Sequence, residues 1–112
     1  MSVEEDLKTN IKNFQSSADQ IFENEDYTSA FILYFKALAA IADYVIITKG
    51  KGLPKDHATR FRILETKFPD LYKVLDRFFL FYRQSYTATV RQKVCEEAKL
   101  YVKLLIEKYK IF

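Results

Sequence analysis

The sequence has little of what enzymatic sites are usually built from. One cysteine, one histidine and one methionine stand in 112 residues, with two glycines, two prolines and no tryptophan. A lone Cys95 excludes an internal disulfide and a four-cysteine zinc site, and points to a reducing, cytoplasmic setting. A lone His57, far from Cys95 in sequence, offers neither metal-ligand spacing nor a Cys-His nucleophile pair, so no metal site and no cofactor is expected. The glycines of GKG, Gly50 and Gly52, are not continued by the rest of a phosphate-binding loop. The amino terminus, MSVEEDLKTN, is acidic and polar rather than a signal peptide. The longest apolar run, Ala37 to Ile47, is interrupted by Asp43, which predicts a buried helix and no membrane partner.

Scarce glycine and proline, beside 49% hydrophobic and 29% charged residues, describe a helix-rich folded chain rather than a disordered one. At this length one domain, residues 1–112, with one core is expected. Aromatic residues, by contrast, are plentiful: ten Phe and eight Tyr. That is more area than a small core usually hides, which predicts a partner surface, most simply in a homodimer. Charge is segregated along the chain. Residues 1–26 hold seven acids and two lysines, while residues 49–67 hold six bases and two acids. Such a basic stretch can attract phosphate or simply be a solvated face.

Helical periodicity predicts an all-α, compact up-and-down bundle of about five helices. Ser2 and Glu5 form a capping box for a first helix whose seam is Val3, Leu7, Ile11, Phe14, Ala18 and Ile21. ENED breaks that seam, and Asp26 caps a second helix from Tyr27 to about Lys49, apolar on nearly every side apart from Lys36 and Asp43. GKGLPKD is a loop, and Asp56 caps a short third helix with Ala58, Phe61, Leu64 and Phe68 on one face. Pro69 suits the first turn of a fourth helix with the stripe Leu71, Leu75, Phe78, Phe79 and Tyr82. Thr89 and Gln92 read as a second capping box, launching a last helix along Val90, Val94, Ala98, Tyr101, Leu105 and Tyr109. The fourth and last helices carry many of the aromatics and are the expected dimer face.

His57 is expected in the first turn of the third helix, its charged form disfavoured by the helix dipole and its ring meeting solvent or the loop. Cys95 is expected to be a small half-buried residue beside Val94. Paired carboxylates such as Glu4 to Asp6, Glu23 to Asp26 and Glu96 with Glu97 lie at helix starts, turns or exposed faces, where capping and solubility explain them. No catalytic residue is assigned. The loop and third-helix bases Lys55, Arg60 and Arg62 are candidate contacts to a nucleic-acid backbone.

Arg83, in FLFYRQSYTAT, has two readings. It complements the carboxyl end of the fourth helix and bonds its free carbonyls, or it joins Tyr86 and the hydroxyls of Ser85, Thr87 and Thr89 in a donor cluster suited to phosphate.

Three segments resemble the HEPN superfamily of small helical nucleotide-binding and ribonuclease-related domains. They are the acidic turn with the alanine-rich second helix, Tyr27 to Val45, then GLPKDHATRFRIL, and then FYRQSYTA. The resemblance implies four or five helices and, in many members, a homodimer whose arginine segments face a shared cleft. Members include metal-independent ribonucleases of toxin–antitoxin systems and noncatalytic partners of minimal nucleotidyltransferases. In the ribonucleases a histidine follows the arginine by a few residues. Here the arginine is Arg83 and the histidine position falls among Thr87, Ala88 and Thr89, none of which is a general base at neutral pH. The resemblance therefore implies binding of a nucleotide or RNA phosphate through Arg83, with Tyr86 beside it, rather than cleavage. The segment Ala18 to Ile41 also resembles one tetratricopeptide hairpin, and a protein-interaction module is the alternative. Nothing repeats it along the chain, whereas such repeats work in groups of about three.

Overall fold

Most helix starts and stops have a local cause. In the computed structural model, which describes residues 2–112, the helices are α1 (Val3–Glu23), α2 (Tyr27–Thr48), α3 (His57–Lys67), α4 (Pro69–Gln84) and α5 (Gln92–Lys108). No strand occurs among the described residues. The hydroxyl of Ser2 accepts from the Glu5 N–H at 3.0 Å, Asp26 accepts from the Ser29 N–H at 3.1 Å, and Asp56 accepts from the Thr59 N–H at 2.8 Å. Each satisfies a first-turn amide that the helix cannot. Gly50 closes α2 with φ 84°, its N–H on Ile47 and the Lys51 N–H on Ile46, a paired arrangement that needs a left-handed residue. Glu25 takes the same role after α1 with φ 64°.

The start of α5 corrects the expected capping box at Thr89. The N-cap is Arg91, with extended backbone and no side-chain cap bond. The Val90 N–H donates instead to Thr28 Oγ1 on α2, at 2.8 Å. That tie holds the α4–α5 connection against the start of α2 and moves the helix start beyond Thr89. With α5 beginning there, Cys95, Ala98, Val102 and Leu105 face the core, and Cys95 is fully buried rather than half-buried.

α2 is the spine. Phe31, Tyr34, Phe35, Leu38, Ile41 and Ile46 are buried within it, together with Ala30, Ala37 and Ala42. The alanines let neighbouring helices approach closely. α1 lies along one side, presenting Ile11 and Ala18, while α4 and α5 cover another with Leu71, Leu75, Phe78 and Val102. Tyr34 is fully buried and its hydroxyl donates to the Asp19 carboxylate of α1, which satisfies the one polar atom of that side chain. Helix α2 is, by length and composition, apolar enough to cross a membrane, contrary to the reading from the uninterrupted run alone. Here its faces are taken up by the other helices.

Four of the eighteen aromatics, Phe31, Tyr34, Phe35 and Phe78, are buried, and only Tyr86 and Phe112 are exposed. The others are half-buried, and rings on α3 and α4 stack in a chain over α2. The exposed large apolar groups on α4 and α5 are leucines: Leu80, Leu100 and Leu104.

Candidate functional site

Two arginines expected to meet phosphate sit in different surroundings. Arg60, in the second turn of α3, points inward. Its Nε donates to Asp43 Oδ1 at 2.7 Å and its Nη2 to Oδ2 at 2.9 Å, a two-pronged pair with both side chains nearly buried. Its Nη1 lies 2.7 Å from His57 Nδ1. A guanidinium can only donate, so Nδ1 accepts and the imidazole proton sits on Nε2. Asp43 is thus no interruption of an apolar helix. It is the counter-ion that lets Arg60 enter the core edge. Arg60 is thereby not a free contact for a nucleic-acid backbone.

His57 is half-buried in the first turn of α3, as much packed against aromatic rings as open to solvent. Its ring packs 5.1 Å from Phe79 and 6.2 Å from Phe35, centre to centre. Burial, and then the neighbouring Arg60 charge, push its pKa below the ordinary 6.5. With Nδ1 engaged and Nε2 protonated, the only histidine is a hydrogen-bond donor at neutral pH, not a base.

These groups line a cavity of about 220 Å³ where α1, α2, α3 and α4 meet. Leu7, Phe14, Phe35, Ala39 and Ala40 supply apolar wall, and Lys36, Asp43, His57, Arg60 and Tyr82 supply polar groups. Phe35 and Tyr82 are stacked at 4.6 Å. Sequence reasoning missed this cavity. The available signal was a single acid inside the apolar α2, since a buried carboxylate requires a cationic partner.

Arg83 lies at the exposed end of α4. Its guanidinium carbon stands 5.9 Å from the centre of the Phe79 ring, a cation–π placement. It has no ion-pair partner among the described residues and makes no side-chain hydrogen bond to the carbonyls ending α4. Those carbonyls are met instead by the Ser85 amide and by the Ser85 hydroxyl, which donates to Tyr82 O. Ser85 is accordingly not free for a ligand. A surface depression of about 520 Å³ is bordered by Asp76, Arg77, Phe79, Leu80, Phe81 and Arg83, with Arg77 itself held by Glu97 of α5.

Tyr86 is 78% exposed and edge-on to Tyr82 at 6.1 Å, and Thr87 is exposed in the following turn. Lys55 and Arg62 are exposed and line neither the cavity nor the depression. The structure thus keeps Arg83 and Tyr86 at one end, takes Arg60 into an internal network, and leaves Lys55 and Arg62 on the surface.

Cys95 is enclosed, and burial pushes its thiol up to about 12. It is a packing residue rather than a nucleophile. Among the described residues no group of three or more His, Cys, Asp or Glu side chains converges as a metal site. In comparisons with protein-family models, curated proteins and solved structures, none matches this chain.

Proposed function

We propose that this chain is a HEPN-like, noncatalytic helical domain that binds nucleotide or RNA phosphate at the Arg83 end of α4, in a cytoplasmic setting. The observation that carries the reading is the state of Arg83: exposed, unpaired among the described residues, and poised over an aromatic ring beside Leu80 and Phe81. A guanidinium so placed pairs with phosphate oxygens, and the adjoining apolar surface and exposed Tyr86 suit an unstacked base. The absence of a histidine after Arg83, and the engaged state of His57, favour binding over cleavage.

The test is a fluorescence anisotropy titration of short labelled RNA with wild type and Arg83→Ala at low and moderate salt. Salt-sensitive binding that drops about tenfold or more in the variant is the expected result. Affinity unchanged by the substitution would remove Arg83 from the site. Arg83 is exposed, so its loss is expected to shift stability by no more than about 0.5 kcal/mol.

The same reading includes assembly, as a homodimer or as the accessory partner of a minimal nucleotidyltransferase. Leu80, Leu100 and Leu104, 52%, 53% and 47% exposed, support a partner surface on α4 and α5. Light scattering at micromolar concentration is expected to return twice the chain mass. A chain-mass value would withdraw the homodimer and leave a protein partner to be sought by pull-down.

A further inference from the structure

The pocket lined by Asp43, His57 and Arg60 opens to solvent, and its polar groups are unevenly engaged. Its acceptors are engaged: both Asp43 oxygens and His57 Nδ1 receive hydrogens from Arg60. Its donors are not. The guanidinium has five N–H groups and three are directed to those acceptors, which leaves two. His57 Nε2 carries a proton and has no hydrogen-bond partner among the described residues. Lys36 is exposed, lines the same cavity and has no ion-pair partner among the described residues.

Charge points the same way. Arg60 and Asp43 neutralise each other and His57 is neutral, so Lys36 leaves the cavity positive. The rest of the wall is Leu7, Phe14, Phe35, Ala39 and Ala40, with the Tyr82 ring. A volume near 220 Å³ lies below the roughly 300–1,000 Å³ of sites for drug-sized molecules. It suits a single ring rather than a whole nucleotide.

We infer that this cavity binds a small aromatic monoanion, a single planar ring bearing a carboxylate or similar acceptor group. The ring lies against Phe14, Phe35 and Tyr82, and the anionic group meets Lys36 Nζ and the free N–H groups of His57 and Arg60. This site is separate from the one at Arg83 and does not depend on it. Phe79 packs on His57 and also lies beneath Arg83, but no residue lines both sites.

Benzoate, benzamide and inorganic phosphate are the probes, titrated by two-dimensional amide NMR with wild type and Lys36→Gln. Benzoate is expected to bind saturably, shifting amides around Ala39, Ala40 and His57, with benzamide and phosphate each about tenfold weaker or more. Lys36→Gln is expected to weaken benzoate about tenfold or more while the helical circular dichroism and melting stay as in wild type. Lys36 is exposed, which keeps loss of fold from mimicking loss of binding. No saturable benzoate binding up to about 10 mM would overturn the inference, since weaker binding is below useful recognition. Benzamide binding as well as benzoate would overturn the anionic requirement, phosphate binding as well would overturn the ring, and an unaltered Lys36→Gln variant would overturn the site.

Discussion

Arg60 and Arg83 are the same residue type on adjacent helices, and what surrounds them has made them different components. Arg60 is nearly buried, with three of its N–H groups directed to Asp43 and His57. Arg83 is exposed, with only the face of Phe79 beneath it. Burial decides the difference. A guanidinium removed from water must find acceptors inside the protein, and those acceptors then occupy most of its donors. A guanidinium left in water needs none, and keeps its donors for a ligand. A charge count along the sequence treats the two alike, because it records charge and not solvent.

The comparison is broken most forcefully at Asp43. Asp43→Ala leaves Arg60 nearly buried without its counter-ion, and is expected to cost about 3–5 kcal/mol in urea unfolding. Replacing both partners, as Asp43→Leu with Arg60→Met, is expected to recover most of that loss, since no charge is then stranded. A double variant as unstable as the single one would show that the pair's geometry, not charge burial, sustains the junction of α2 and α3.

A smaller effect is expected from His57. Its folded pKa is depressed, chiefly by burial and then by Arg60, with Asp43 and Asp56 opposing and Lys36 adding. Between that depressed value and the ordinary 6.5, the unfolded chain binds more protons than the folded one. Stability therefore rises with pH across this window: the contribution is fully present above 6.5 and is lost as the pH falls through the depressed value. His57→Gln is expected to flatten that limb of the urea midpoint against pH. An unchanged limb would mean that another group carries the acid sensitivity. The smallest stability effect belongs to Arg83→Ala, near zero, and contrast with Asp43→Ala is the sharpest statement of the comparison.

Much of the fold was legible. Caps at Ser2, Asp26 and Asp56, the stop at Gly50 and the start at Pro69 are local events, set by side chains within a few residues of the amides they serve. Thr89 is not the cap: α5 begins beyond it, and the adjoining Val90 amide pairs with Thr28, far away in sequence, a partner that no local rule contains. The candidate sites were less legible for the same reason. Arg83 and Tyr86 could be picked out because they lie about the end of a helix whose stripe is plain. The cavity was hidden because its walls come from four helices.

The sequence by itself determined that this chain forms helices, where most begin and end, and that α2 is apolar on nearly every side. Those follow from periodicity and from hydrogen bonds made within a turn. Tertiary structure decided that α2 is largely covered by its own chain, that only two of the aromatics are left exposed, and that Asp43, Arg60 and His57 form one network. Each of those outcomes depends on which groups are removed from water together, a property of the packed helices and of no single segment.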